Sequence, residues 1–253
     1  MIQARRRFGQ NFLIEKSTIA RIIESLKISS QDSVIEIGPG KGALTERLVE
    51  SRCDLTLIEI DRDLVDTLKK KYEGLSIVND DVLKVDLSSF FGIEPKRIIG
   101  NLPYNISTPL LFKLSRFNER IIDMHVMLQK EVAERIVSES SRKEYGRLSV
   151  SIQLLWEVTK LFDVSPTAFS PQPKVNSSFI CLKPKKKINF DRNLMNRLLT
   201  SAFSARRKTL KNALRNYLNE SELRSIEIDP GSRPENLFPE DFIRCANFLK
   251  KKL

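Results

Sequence analysis

The stretch Val34-Ile35-Glu36-Ile37-Gly38-Pro39-Gly40-Lys41-Gly42 joins an apolar run to a glycine-rich turn. The apolar run predicts a buried strand, and the glycines predict a turn in which the backbone can approach a ligand closely. Because a helical pattern follows directly, the turn would hold that ligand at a helix N-terminus.

Strand and helix patterns alternate on both sides of this stretch. Further strands are predicted over 55–58, 75–78, 98–100 and 122–128, and helices over 17–28, 43–51, 64–72, 109–114, 131–138 and 148–158. Such alternation predicts an α/β fold with a doubly wound, mostly parallel sheet. Two late strands, over 161–164 and 179–182, would form an antiparallel pair at one edge.

The chain is expected to divide at a basic linker, Lys183-Pro184-Lys185-Lys186-Lys187. Residues 1–186 would form the main domain with a basic N-terminal arm, and residues 187–253 a small domain with helices over 191–218 and 240–252. The net charge is +11, and residues 184–253 carry 16 Lys and Arg against 8 Asp and Glu. This uneven excess predicts a polyanionic partner; the alternative is a basic surface that is merely solvated.

Several classes of protein are disfavoured by the composition. No apolar stretch approaches the roughly 20 residues of a membrane span, and the N-terminus lacks the apolar segment of a secretory signal. The three cysteines are far apart and His125 is the only histidine, so we expect neither a metal site nor a disulfide framework. A cytoplasmic location is therefore predicted.

Acidic residues at two predicted strand ends suit a nucleotide-like cofactor. Glu59 lies 21 residues after Gly38 and can accept both hydroxyls of a ribose. Asp81, favoured over Asp80 because of strand alternation, can accept from the amino group of an adenine. The glycine spacing fits a dinucleotide as well as S-adenosylmethionine, so these residues leave both cofactors open.

The segment Asn101-Leu102-Pro103-Tyr104 follows the predicted strand over 98–100. Ligands of open α/β sheets bind outside such strand ends. The Asn101 side-chain oxygen and the Leu102 carbonyl offer two acceptors, and Tyr104 offers a flat ring, a combination that suits the exocyclic amine of a planar base. The alternative is a plain turn, with Asn101 as a helix cap and Tyr104 in the core.

Together these motifs resemble the class I S-adenosylmethionine-dependent methyltransferases, and more narrowly the ribosomal RNA adenine N6,N6-dimethyltransferases, the KsgA family. The resemblance covers about residues 5–245. Its motifs are Phe8-Gly9-Gln10-Asn11-Phe12-Leu13, the glycine turn over 36–45, Asn101-Leu102-Pro103-Tyr104, the proline-rich stretch over 169–177 and Ser204-Ala205-Arg206-Arg207-Lys208-Thr209-Leu210.

The resemblance implies a Rossmann-like sheet of seven mostly parallel strands, S-adenosylmethionine as cofactor, and particular site residues. The implied cofactor contacts are Asn11, Leu13, Gly38, Gly40, Glu59, Asp81 and Asn101. The implied catalytic set is Asn101, Leu102 and Tyr104, with Phe169 on the opposite face of the target adenine. Taken without the family, Phe169 would be a core residue before a proline turn.

The C-terminal region is predicted to recognise RNA by binding phosphates, and the alternative is a solvated helix face. Arg206, Arg207, Lys208, Lys211 and Arg215 are predicted on one helical stretch, and three of them share a face at spacings of four. Leu210, Leu214 and Tyr217 form a separate apolar stripe. A second basic patch, Arg5, Arg6 and Arg7, would act as an arm that orders on RNA.

The leading hypothesis is a monomeric enzyme that dimethylates adenosines of small-subunit ribosomal RNA during ribosome assembly. A close alternative is the related resistance-type (Erm) group, which acts on large-subunit ribosomal RNA. Two other classes are an RNA-binding assembly factor without catalysis and an NAD-dependent oxidoreductase. Intact site motifs argue against lost catalysis, and the paired aromatics and the basic domain have no purpose in an oxidoreductase.

Overall fold

Two compact units make up the computed structural model, which describes residues 5, 8–92, 94–186, 189–205 and 207–252. The first unit extends to Ala133 and also takes in Val158–Pro184. The second consists of Glu134–Glu157 and the chain from Lys185 onward. Each unit has its own core.

The first unit is built on a mostly parallel sheet. The strands of the described chain are β1 Phe12–Leu13, β2 Ser33–Ile37, β3 Asp54–Glu59, β4 Ser76–Asn79, β5 Lys96–Asn101, β6 Ile121–Gln129, β7 Trp156–Val164, β8 Phe169–Ser170 and β9 Ser177–Pro184. Seven of them pair in the order β4-β3-β2-β5-β6-β9-β7. The first five strands in this order, β4, β3, β2, β5 and β6, are parallel, and β9 runs antiparallel to β6. The predicted sheet of seven mostly parallel strands is confirmed.

Helices cover the sheet and form most of the second unit. The helices are α1 Lys16–Leu26, α2 Thr45–Glu50, α3 Arg62–Lys71, α4 Ser107–Leu114, α5 Lys130–Val137, α6 Arg147–Gln153, α7 Arg192–Ala202, α8 Leu210–Ala213, α9 Glu220–Ser225 and α10 Pro239–Lys252. Among these helices of the described chain, none combines the length and the apolar character that a membrane span requires.

The carboxyl ends of four parallel strands meet at one edge of the sheet. All five residues of β2 are buried, as expected for a strand covered on both faces. The register pairs Ile37 with Ile58, Glu59 with Asn79, and Glu36 with Ile99. The glycine turn after β2 therefore lies beside Glu59 on one side and the end of β5 on the other.

The second unit includes a segment that the predicted division at residue 186 places in the main domain. Within Glu134–Glu157, Tyr145, Val150 and Leu154 are buried in the same core as Leu198 and Phe242. The predicted helix over 148–158 ends at Gln153, and β7 begins at Trp156. Strand β7 lies at an edge of the sheet, and the exposed charged residues of such a strand interrupt the apolar alternation in its first half. The sequence pattern therefore predicts β7 only from residue 161.

The prediction of a single helix over 191–218 is wrong. Helix α7 ends at Ala202 and α8 starts only at Leu210, where the N–H groups of Leu210 and Lys211 donate to the carbonyls of Ser232 and Pro230 at 2.7 and 3.1 Å. Because the helix is interrupted, the basic residues at spacings of four do not share one helical face. Of the predicted apolar stripe, Leu210 and Leu214 are fully buried and Tyr217 is partly buried against the same core, although the three do not lie on one helix.

Candidate active site

A cavity of about 320 Å³ opens at the carboxyl edge of the sheet in the first unit. Its walls come from five places in the sequence, residues 8–13, 36–44 without Gly42, 58–60, 80–82 and 101–106. Every predicted cofactor residue and three of the four predicted catalytic residues lie on these walls. The sequence motifs, which are far apart in the chain, thus converge on one site.

The glycine turn forms the floor of the cavity. Gly38 and Gly40 have φ of 67° and 58°, in the left-handed region that favours glycine. A Cβ on Gly40 would lie 3.0 Å from the ring of Phe12, so a side chain there would crowd that ring as well as strain the backbone. The Gly38 N–H donates to the Ile58 carbonyl at 2.9 Å and so joins the turn to the end of β3.

Glu59 is a buried carboxylate that the backbone holds in place. Its side chain accepts from the N–H of Gly40 at 3.1 Å and from the N–H of Asp61 at 3.0 Å. Burial raises the pKa of Glu59, and these backbone hydrogen bonds offset part of that effect. A carboxylate has about four lone-pair sites, so Glu59 retains capacity for ribose hydroxyls.

Two aspartates and two aliphatic residues also line the cavity near Glu59. Asp81 accepts from the Leu83 N–H at 2.9 Å through its own side chain, whereas the Asp80 carboxylate accepts from the Asp81 N–H at 2.6 Å. Both line the cavity, so the preference for Asp81 stays a prediction. Ile60, 42% exposed, and Val82 also line it. Sequence reasoning missed this apolar pair, although an aliphatic residue directly after Glu59 was a usable signal.

Asn101 has a defined orientation at the end of β5. Its side-chain Nδ2 donates to the main-chain carbonyl of Asn11 at 2.8 Å. In the described chain, no donor is hydrogen-bonded to the Asn101 side-chain oxygen or to the Leu102 carbonyl. Both oxygens predicted to receive an amine therefore have free acceptor capacity beside the cavity, while the Leu102 side chain is buried.

Tyr104 is fixed at the cavity wall through its hydroxyl. The hydroxyl is hydrogen-bonded to the Oγ of buried Ser177 at 2.6 Å. Burial raises the pKa of Tyr104, and the bond to Ser177 offsets part of that rise. Asn101 does not cap the next helix, as the alternative interpretation had it, because no side chain forms a capping hydrogen bond at the start of α4.

Phe169 does not present a face to the cavity, contrary to the prediction. Its side chain is 1% exposed and packs in the core that includes Leu13, Met127 and Phe179. In β8 it pairs with Leu13 of β1. The ring lies in the core and not at the cavity because burial of a phenylalanine side chain among apolar neighbours is more favourable than exposure to solvent. Phe169 thereby anchors the strand that follows Asn11.

The predicted RNA-binding residues differ in their surroundings. The guanidinium of Arg5 forms ion pairs with Asp61 and Asp63, so the structure gives it carboxylate partners within the protein rather than a free charge. Lys211 pairs with Glu220 at 2.9 Å. Arg207, Lys208 and Arg215 are exposed. Arg6, Arg7 and Arg206 lie outside the described residues.

Glu36 is a second buried carboxyl on the cavity wall that sequence reasoning did not assign. Its Oε2 accepts from the hydroxyl of Thr45 at 2.7 Å. Burial raises the pKa of Glu36 to about 8, the bond from Thr45 lowers it, and nearby Glu59 raises it further. Glu36 therefore differs from an ordinary surface glutamate in being protonated near neutral pH.

The family model described as ribosomal RNA adenine dimethylase matches residues 1–251 of this chain. The chain belongs to the ribosomal RNA adenine dimethylase family. It is 45% identical to the ribosomal RNA small subunit methyltransferase A of Aromatoleum aromaticum, over 99% of this chain and 96% of that protein. It is 47% identical to the protein of that name from Nitrosomonas eutropha, over 98% and 97%.

Solved structures agree with membership of the adenine dimethylase family. A dimethyladenosine transferase from Plasmodium falciparum superposes with a TM-score of 0.82 at 28% identity, covering 95% of this chain and 98% of that one. The 23S rRNA methyltransferase ErmE superposes at 0.73 and 26% identity, covering 95% and 100%. The chain is thus a methyltransferase, and the oxidoreductase alternative is excluded.

Gly100 offers a test of how closely β5 must approach β2. A Cβ at this position would lie 2.6 Å from the Ile37 carbonyl oxygen and 2.9 Å from the Leu102 side chain. We expect Gly100→Ala to displace Asn101, to lower methyl transfer at least tenfold and to lower the free energy of unfolding by about 1–3 kcal/mol. Activity and urea unfolding measure both effects. Gly92→Ala, which meets nothing within 4 Å, should be neutral; equal losses in the two variants would contradict the argument.

The raised pKa of Glu36 predicts a pH-dependent stability. Between pH 4.5 and about 8 the folded protein keeps a proton on Glu36 that the unfolded chain has lost. Since the folded state then binds more protons, its stability falls as pH rises through this window. Glu36→Gln keeps the neutral form, so the free energy of unfolding of the variant should rise relative to that of the wild type by about 4 kcal/mol between pH 4.5 and 8. Urea unfolding of the cofactor-free proteins tests this; a constant difference across the window would refute it.

Proposed function

We propose that this chain transfers methyl groups from S-adenosylmethionine to N6 of adenosines in small-subunit ribosomal RNA, giving N6,N6-dimethyladenosine during ribosome biogenesis. The observation that carries the proposal is the orientation of Asn101, whose amide nitrogen is held by the Asn11 carbonyl while its oxygen is left to accept from an amine. The names of relatives at 45–47% identity support the small subunit as the target.

The cavity residues fit S-adenosylmethionine. At the glycine turn a Cβ on Gly40 would crowd the ring of Phe12, so the turn offers bare backbone to a ligand, and Glu59 is a buried acceptor suited to ribose hydroxyls. Asp81 would accept from the adenine amine, and the apolar Ile60 and Val82 line the cavity with it, as do Asn11 and Leu13. The cofactor supplies a methyl group already activated by its sulfonium.

The chain's contribution to the reaction is alignment and charge stabilisation. The Asn101 side-chain oxygen and the Leu102 carbonyl would accept hydrogen bonds from adenine N6. These bonds favour a pyramidal, more nucleophilic nitrogen and stabilise the positive charge that develops on it. Holding N6 in line with the methyl group removes much of the entropic barrier. No strong base is required, because the methylated amine is acidic before it loses its proton.

The target base would leave its stack to enter the site. Tyr104 would receive one face of the base, and stacking on an aromatic ring contributes ~1–3 kcal/mol. The hydrogen bond to Ser177 holds the ring in place. For Phe169 we propose a supporting role through its pairing with Leu13, because its ring is buried in the core.

RNA recognition is proposed for the basic surface of the second unit. Arg207, Lys208 and Arg215 are exposed there, and Arg206 and Lys211 lie beside them in the sequence. Structured RNA is recognised largely through its shape and its phosphates, so these charges would provide affinity rather than the choice of nucleotide. We propose that the enzyme acts as a monomer in the cytoplasm.

A second candidate substrate is large-subunit ribosomal RNA, because ErmE shares this fold at a TM-score of 0.73. Transfer of labelled methyl groups to undermethylated small subunits, large subunits and naked rRNA separates the two. N6,N6-dimethyladenosine from small subunits supports the proposal. Label confined to large subunits would support the second candidate, and no label on any RNA would overturn both.

Asn101→Ala tests the proposed catalytic acceptor. Loss of one preorganised hydrogen-bonding group in an active site costs roughly 10²–10³ in kcat, and we expect a fall of about 100-fold with a smaller change in the affinity for S-adenosylhomocysteine. Single-turnover kinetics and calorimetry measure the two quantities. The matched control is Asn193→Ala, at an exposed position of α7. A variant with near-normal kcat would show that Asn101 is not the acceptor.

Replacing Arg207 and Lys208 together with alanine tests the basic surface. Each lost phosphate contact reduces the slope of log K against log salt by about 0.9, so the slope should change by about 2 and KM for the RNA substrate should rise. The value of kcat should hold, because neither residue lines the cavity. Lys69→Ala with Lys70→Ala, on the exposed side of α3, removes the same charge elsewhere. Equal effects of the two pairs would argue against a specific RNA surface.

A further inference from the structure

Gln10 makes two hydrogen bonds beside the cavity that the proposed mechanism does not use. Its Nε2 donates to the Asp61 carboxylate at 3.0 Å, and its Oε1 accepts from the Arg5 N–H at 2.7 Å. The side-chain amide is thus fixed at both ends. Gln10 itself lies on the cavity wall, directly before Asn11.

Asp61 connects Gln10 to the cofactor side of the site. Its side chain is fully buried and also accepts from Arg5 at 2.9 Å and from the Asp63 N–H at 3.2 Å, which caps α3. Its own N–H donates to Glu59 at 3.0 Å. The segment containing Gln10 is therefore tied to the strand end that carries the proposed ribose acceptor.

On its other side, the same segment determines how Asn101 is turned. The Asn11 carbonyl can only accept, so it selects the nitrogen end of the Asn101 amide and leaves the oxygen for the substrate amine. Gly9 has a φ of 62°, and the Asn105 side-chain oxygen lies 3.0 Å from the place of its absent Cβ. Because Gln10 directly precedes Asn11 in the chain, we expect a shift at Gln10 to move the Asn11 carbonyl.

We propose that Gln10 is a positioning residue for methyl transfer. Through its bond to Asp61 it fixes the Asn11 carbonyl, and this carbonyl holds the Asn101 amide with its oxygen toward adenine N6. The inference rests on the proposed function of Asn101. It predicts that Gln10 acts on kcat, and that it acts only when Asn101 is present.

A reversal of donor and acceptor tests the bond. Gln10→Glu places two carboxylates together and should lower kcat at saturating cofactor and RNA by about 10- to 50-fold. In the double variant with Asp61→Asn, the amide nitrogen at position 61 donates to the carboxylate at position 10. The other donors to these two side chains, from Arg5 and Asp63, each keep an oxygen to donate to. The double variant should recover to within about threefold of the wild type. Asp63→Asn, which removes only the exposed partner of Arg5, should remain within about twofold.

A second measurement separates positioning from general destabilisation. In an Asn101→Ala background, Gln10→Glu should cost no more than about twofold, since the residue through which it acts is gone. Gln10→Ala, which removes the bonds without adding charge, should lower kcat in the same direction and covers the case in which Gln10→Glu fails to fold. The melting temperature should change little, and the KM for the cofactor should change by a much smaller factor than kcat.

The possible outcomes distinguish this inference from the proposed function. A wild-type enzyme that methylates small subunits, together with an unchanged kcat in Gln10→Glu, would overturn the role of Gln10 alone. That role is also overturned if the reversed pair recovers nothing, or if the losses from Gln10→Glu and Asn101→Ala multiply. Absence of product from the wild type on every RNA would overturn both.

Discussion

The active site depends on the close approach of strands β2 and β5. At Gly100 the two backbones lie so near that a single Cβ would come within 2.6 Å of the Ile37 carbonyl. This contact sets the glycine turn after β2 beside Asn101 at the end of β5, and the parallel register of β3 then adds Glu59. Parallel strands place their carboxyl ends at one edge, and the absence of a side chain at Gly100 lets the glycine turn and the loop after β5 lie this close together.

Carboxyl groups are concentrated around this edge, and each is stabilised in a different way. Glu36 has one hydroxyl partner and is buried, so its pKa rises to about 8. Glu59 accepts from two backbone N–H groups, and Asp61 accepts from Gln10, Arg5 and the start of α3. Buried charges are tolerated only with such partners. Because S-adenosylmethionine is a cation, a neutral Glu36 would lower the negative charge of the wall that the cofactor meets.

The sequence was sufficient where local pattern and tertiary structure agree. The apolar run before Gly38 and the alternation of strands predicted the sheet, and positive φ at Gly38 and Gly40 is what the glycine spacing required. It failed where long-range contacts override the local pattern. The helix predicted over 191–218 breaks because Leu210 and Lys211 donate to a distant loop. Phe169 is buried by neighbours from other strands, and Arg5 finds its carboxylates 56 and 58 residues away. No periodicity within a short window can reveal such partners.

On the proposed mechanism, the two acceptors at the end of β5 also affect how readily each successive methyl group is added. Unmodified adenine N6 has two hydrogens, one for the Asn101 oxygen and one for the Leu102 carbonyl. After the first transfer a single hydrogen remains, so the second transfer has one of the two bonds, and the dimethylated product has none. An acceptor that a bound base shields from water and leaves unpaired costs about 1–3 kcal/mol. On the proposed mechanism the site therefore loses affinity for the base with each methyl group, so that the fully modified base is the one it releases most readily.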